Sequence, residues 1–196
     1  MAERADILVS EIFSSELLGE RVLPSIEDAK NRLLKPDCRI IPAAGSIMIA
    51  LFGGADIGGN LVVEESCGFD VRHFNSIVPA RQILHRSDLH VEMLSGDIEA
   101  FRFDFEHDGY TPGESKTLRI PVGGAGRCYG IIQWIRLQMD RDIVFQNHPL
   151  DAARASGWHH FAYVFPQPVA LREGQVAVVS AAHNRVFPWF ALERVE

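Results

Sequence analysis

From residue 43 onward the chain is a succession of short runs rich in β-branched and aromatic residues, and this pattern most limits what it can fold into. Ser46–Phe52, Leu61–Glu64, His90–Met93, Ala100–Phe105, Thr117–Val122, Ile131–Gln138, His160–Phe165, Gln175–Ala181 and Val186–Leu192 each read as a strand. Gly53-Gly54, Gly58-Gly59-Asn60, Pro112-Gly113, Gly123-Gly124 and Pro166 punctuate them. Many short strands with such breaks predict an all-β barrel or sandwich. Phe101, Phe103 and Phe105 alternate with Arg102 and Asp104, the pattern of a strand with one buried face. Helical insertions are expected around Phe69–Phe74 and Pro79–His85.

The first 42 residues follow another logic. Asp6–Ser10 reads D-I-L-V-S, a short apolar run typical of a strand buried on both faces of a parallel sheet. Parallel neighbours require crossovers of a dozen or more residues, and no such length precedes it. The chain is therefore expected to begin inside a domain, with this strand exposing an apolar edge. In Pro24–Leu34, Ile26, Ala29 and Leu33 share one helical face, and Pro36 ends the helix. Cys38–Ile41 is a short extended segment closed by Pro42. The expected fold is mostly β, a barrel over residues 43–196 preceded by the last strand and helix of an α/β domain over residues 1–42.

Composition narrows the functional classes. The 196 residues are 47% hydrophobic and 23% charged, which suits a folded globular chain. The formal charge of −7 disfavours a phosphate-backbone partner, so no nucleic acid is expected. No apolar run reaches the length of a membrane span, and MAERADILVSEIF lacks the features of a secretory signal. Cys38, Cys67 and Cys128 are odd in number and widely spaced, so a disulfide framework or zinc ribbon is unsupported and a reducing, cytoplasmic compartment is expected.

The segment Ser10–Glu20, S-E-I-F-S-S-E-L-L-G-E, stands directly after the first strand, where α/β sheets place ligand sites. It holds Glu11, Glu16 and Glu20. On a continuous helix Glu11 and Glu20 are separated by about 13.5 Å along the axis, at roughly 1.5 Å per residue. They share one small cation only if the chain doubles back, which Ser14-Ser15 and Gly19 permit. An amphipathic helix with a solvated acidic face is the competing reading. Other candidates are weaker. His159 and His160 are adjacent on a strand and point to opposite faces, so with His148 and Asp151 they make a poor metal set. Gly123-Gly124-Ala125-Gly126 precedes a strand-like run rather than a helix, and reads as a hairpin turn. Ser10, Ser46 and Ser180 lack a nucleophile elbow.

The stretch from Ala5 to Pro42, ADILVSEIFSSELLGERVLPSIEDAKNRLLKPDCRIIP, resembles the protein arginine N-methyltransferases. In that family a strand ending in Ser-Glu or Thr-Glu opens the double-E loop, with a second glutamate nine positions on, as Glu11 and Glu20 are spaced. E-L-L-G-E is most similar to the branch that makes monomethylarginine. A weaker similarity continues through GIIQWI, GWHHFAYVFPQP and LREGQV, which resemble strands of the family's β-barrel. The resemblance implies that Glu11 and Glu20 are the catalytic clamp on an arginine guanidinium, with Glu16 between them solvated. It implies S-adenosylmethionine as methyl donor and an arginine-containing protein or peptide as acceptor. Ser156-Gly157-Trp158 stands where the family has Thr-His-Trp, so Trp158 is the implied substrate-binding residue, with a barrel-core aromatic as the competing reading, and Gly157 departs from the pattern. The family's Gly-rich cofactor motif precedes the equivalent of the Asp6 strand; by that resemblance the cofactor half is missing from this chain, which alone is expected to be inactive. A homodimer through an arm near Gly68–Arg81 is a further implication. The alternative is a non-catalytic barrel serving recognition or dimerisation.

Overall fold

The structure is a computed structural model and describes residues 3–85, 90–151 and 156–196. β1 (Ala5–Val9) leads through an irregular turn to α1 (Val22–Arg32) and then β2 (Leu34–Ile41). β1 and β2 pair in parallel, Leu8 opposite Ile40 and Val9 opposite Ile41, with α1 as the crossover. The parallel neighbour that β1 needs thus comes from downstream. The apolar exposure expected of this strand is observed: only Leu8 of the five β1 residues is even partly buried, and Ile7 and Val9 are 56% and 70% exposed. Two strands and one helix cannot cover both faces of a parallel sheet. α1 buries Val22, Leu23, Ile26 and Ala29.

The rest is built of antiparallel strands. In order come β3 (Ala44–Gly53), α2 (Ala55–Leu61), the small hairpin β4 (Glu65–Ser66) and β5 (Phe69–Asp70), a 3₁₀ turn at Arg72–Ser76, and β6 (Arg81–Leu84). β7 (Glu92–Met93), β8 (Ile98–Asp104), β9 (Glu114–Pro121), β10 (Gly126–Gln138) and β11 (Val144–Gln146) follow. β12 (His160–Leu171), β13 (Val176–His183) and β14 (Pro188–Val195) complete the chain. The larger sheet runs β6-β12-β10-β3-β7, with β8 also on β3 and β11 also on β10. The smaller is β14-β13-β9. The Ser95–Val122 bridge and the Gly123 N–H donating to Leu94 O join the two at one end.

Alternation decides what faces inward. Phe101, Phe103 and Phe105 are buried as expected and pack with Ile47, Ile49, Leu51, Ile131 and Ile135 from the large sheet, and with Ala177, Val179 and Phe190 from the small one. The same cluster takes in Phe13, Leu17, Leu18 and the buried face of α1, so the first segment shares its core with the barrel. The opposite faces of β3 and β10 carry Met48, Ala50, Phe52, Ile132 and Trp134, packed with Ile57 and Leu61 of α2.

Three local expectations are corrected. Gly58-Gly59-Asn60 was expected to be a break before a strand at Leu61–Glu64; it is the body of α2, despite a cost near 1 kcal/mol per glycine. A Cβ on Gly58 would lie 2.1 Å from the Tyr129 ring, so close packing on β10 outweighs propensity. Pro79–His85 was expected to be helical; its core is β6, antiparallel to β12 with Leu84 opposite His160. The 3₁₀ turn at Arg72–Ser76 overlaps the other expected helical insertion. Gly123–Gly126 does precede a strand, but β9 pairs β13 while β10 pairs β3 and β12, so these glycines pass between sheets rather than close a hairpin.

Candidate functional site

After β1 the chain doubles back. Leu17 N–H donates to Ser14 O at 2.8 Å, and these two residues form an isolated antiparallel bridge. The Ser14 hydroxyl oxygen accepts the Gly19 N–H at 2.8 Å and the Glu16 N–H at 3.3 Å, pinning both limbs of the reversal. A Cβ at Gly19 would stand 2.6 Å from that oxygen, so the limb fits only a glycine without displacing Ser14. Leu17 and Arg21 have φ of 73° and 59°, conformations costing roughly 1–3 kcal/mol each in non-glycine residues. Leu17 is fully buried, and its packing holds the strained backbone in place.

The reversal brings Glu11 and Glu20 to one solvent-open pocket of about 450 Å³, lined also by Phe13, Ser14, Ser15, Gly157 and Trp158. Both carboxylate-bearing residues are exposed, while Phe13 is buried beneath them, 5.5 Å from the Phe105 ring. The lining is anionic and hydroxyl-rich on one side and aromatic on the other. Such a set suits a planar cation with several N–H donors, because carboxylates accept bidentate bonds and aromatic faces attract cations.

Trp158 joins this loop to the barrel. Its indole N–H donates to Phe13 O at 2.6 Å, and its ring lies 5.2 Å from Phe145 of β11. The next residue's backbone N–H, of His159, donates to the Ser15 hydroxyl at 2.9 Å. Asn147 holds the other side, donating to Trp158 O at 3.2 Å and accepting the Ile135 N–H at 3.0 Å. Gly157 presents no side chain to the pocket. His159 is exposed and His160 buried, so they do face opposite ways; His160 Nε2 lies 2.6 Å from Asn147 O. Among the described residues no group of three His, Cys, Asp or Glu side chains is arranged to hold a metal.

Glu16 corrects the expectation of a solvated side chain. It is 5% exposed and forms an ion pair with Arg81 of β6. No local signal marks this, because the partner lies 65 positions away. Ser14, Ser15 and Asn147 were also not foreseen as supports, although the serine pair was noted as compatible with a bend.

No protein-family model matches the chain. An Arginine N(omega)-methyltransferase of Streptomyces achromogenes subsp. streptozoticus is 30% identical over 171 residues, covering 87% of this chain and 46% of that protein. The chain belongs to the protein arginine N-methyltransferase family. Protein arginine N-methyltransferase 7 of Caenorhabditis briggsae is 25% identical over 201 residues, covering 95% of this chain and 31% of that one. The chain thus spans between about a third and a half of the length of these relatives. A solved structure titled Trypanosoma brucei PRMT1 enzyme-prozyme heterotetrameric complex with AdoHcy superimposes with a TM-score of 0.72 at 14% identity, covering 94% of this chain and 62% of that one. That likeness establishes the fold, which is rich in strands with two α-helices among the described residues. No helix among the described residues is long and apolar enough to cross a membrane.

Proposed function

We propose that this chain carries the arginine-binding part of a methyltransferase that uses S-adenosylmethionine, with Glu11 and Glu20 as the clamp of a double-E loop. The supporting observation is that the two glutamates and Trp158, distant in sequence, line one pocket. Residues 1–42 are the closing elements of the cofactor-binding domain in this reading, and residues 43–196 the barrel.

A guanidinium stays protonated throughout the physiological range and spreads its charge over three nitrogens, which makes it a poor nucleophile. Two carboxylates on either side accept its N–H bonds, orient one terminal nitrogen and concentrate electron density there. Orientation and electrostatics supply the rate gain. S-adenosylmethionine, held by residues outside this pocket, supplies an electrophilic methyl group. Trp158 acts through its grip on the Phe13 carbonyl as well as through the pocket wall. Monomethylarginine is the expected product on the strength of E-L-L-G-E.

The acceptor in this reading is an arginine within a protein or peptide, and the proposed compartment is the cytoplasm, which suits three free cysteines. A second copy of the chain is proposed as partner through the segment that carries Phe69, Phe74 and Ile77, which are 72%, 57% and 72% exposed. The test of the function is mass spectrometry of arginine-rich peptides incubated with S-adenosylmethionine and a polypeptide joining this chain to a cofactor-binding half. Methylation by the parent, and loss of most of it in Glu11→Gln and in Glu20→Gln, is the expected result. Near-normal transfer by both variants would refute the clamp.

A further inference from the structure

Glu16 lies midway between the two pocket carboxylates but turns away from them. Its neighbours explain how. Gly19 leaves room for it, since a Cβ there would come within 3.2 Å of Glu16 Oε2. Ser14 Oγ fixes the Glu16 backbone N–H. The carboxylate then reaches the Arg81 guanidinium on β6. Arg81 is placed by the barrel: its backbone lies opposite Tyr163 in the β6–β12 ladder, and its guanidinium carbon sits 4.9 Å from the Phe161 ring centre and 5.7 Å from that of Phe187. Cation–π contact and ion pairing together hold it in one place.

Pairing two charges with one of them buried is a poor way to gain stability, because the desolvation cost offsets much of the attraction. It is a good way to fix position, because a buried carboxylate without its cation is strongly disfavoured. The pocket glutamates stand five positions before and four positions after Glu16, on the two limbs of the reversal. Anchoring the middle of the reversal to β6 sets where both limbs stand against the Trp158 loop, which is carried by the same β12 strand that β6 pairs.

We propose that Glu16 and Arg81 are positioning residues, a loop-to-barrel pin that fixes how Glu11 and Glu20 face one another across the pocket. The proposal rests on the acceptor-clamp reading, and its test separates the two. The 196-residue chain is prepared as wild type, Glu16→Gln, Arg81→Met, Arg81→Lys, Glu11→Gln and Glu20→Gln. Hydrogen exchange is followed by NMR at the Gly19 amide, the Trp158 indole N–H and the amides of β10. Affinity for Nα-acetyl-arginine N-methylamide is titrated in the same samples.

Glu16→Gln and Arg81→Met are expected to speed exchange at Gly19 and Trp158 about tenfold or more, and to weaken the probe by roughly tenfold, the loss of one charge-assisted bond. β10 exchange stays as in wild type, and Arg81→Lys, which keeps the charge, recovers most of both effects. Unchanged exchange at Gly19 and Trp158 in a folded Arg81→Met chain overturns the proposal. So does probe binding that is lost equally in Arg81→Lys and Arg81→Met. If Arg81→Met, which strands the buried Glu16 carboxylate, unfolds the chain, Glu16→Gln and Arg81→Lys decide: unchanged exchange at Gly19 and Trp158 in Glu16→Gln overturns the proposal. If Glu11→Gln and Glu20→Gln leave probe affinity unaltered, or if the wild type does not bind it, the clamp reading fails and the exchange data alone judge the pin.

Discussion

β3 and β1 are both apolar strands, and they live in different surroundings. All ten residues of β3 are buried, between β10 and β8 along its edges and between the barrel interior and α2 on its faces. β1 pairs along one edge only, and four of its five residues are exposed. The barrel strands therefore have far more packing to draw on than β1, although the barrel shares one core with the first segment. The segment bearing the acidic reversal gains its order through specific ties: Trp158 to Phe13, His159 to Ser15, Glu16 to Arg81, and the packing of Leu17 and α1. Beside a densely buried scaffold, the loop depends on individual ties, and the pocket geometry depends on those ties.

The contrast is sharpest in truncation. Leu51→Ala opens a cavity in the fully buried β3 and is expected to cost about 2–5 kcal/mol in urea unfolding. A loss below 1 kcal/mol would mean the barrel core is looser than its burial implies. Gly19→Ala forces a methyl against Ser14 Oγ and is expected to cost roughly 1–3 kcal/mol, felt as faster exchange around the reversal rather than in β10. Uniformly faster exchange in both places would break the distinction between scaffold and tethered loop.

A smaller effect comes from His183, which burial between Phe101 and Phe103 holds below its ordinary value of 6.5, with Lys116 and Arg185 lowering it further and Glu114 opposing. The native state favours the neutral ring. That contribution is full above the unfolded value and falls away as the pH drops below it toward the folded one. The urea midpoint is therefore expected to decline from pH 7 to pH 5, with a shallower slope in His183→Gln; equal slopes would remove His183 from the account. The smallest change expected is Ile7→Ala on β1, within about 0.5 kcal/mol of wild type in the same measurement.

How much of this was legible in the sequence depends on the range of the interaction. The Phe101, Phe103, Phe105 alternation is local and its burial follows from it. The reversal at Ser10–Glu20 was compatible with the turn formers Ser14-Ser15 and Gly19 but competed with a continuous helix, and it was the family resemblance that singled out Glu11 and Glu20, which line the pocket. Trp158 could be placed by resemblance. The burial of Glu16 was not readable, since a carboxylate looks solvated until its cation is found on a distant strand. The helix at Ala55–Leu61 was hidden by its glycines, which only the approach of Tyr129 explains. β1 is a further case: its apolar run suits a buried strand, and the exposure expected of it is seen at Ile7 and Val9, which few other elements cover.

The most direct test of the central claim follows the side-chain carboxyl carbons of Glu11 and Glu20 by ¹³C NMR while Nα-acetyl-arginine N-methylamide is added, with the lysine analogue as control. The account expects both resonances to move with one shared dissociation constant for the arginine probe, to respond far less to lysine, and each to lose its response when the other glutamate is changed to glutamine. Two carboxyls that shift independently, or that do not distinguish arginine from lysine, would contradict it.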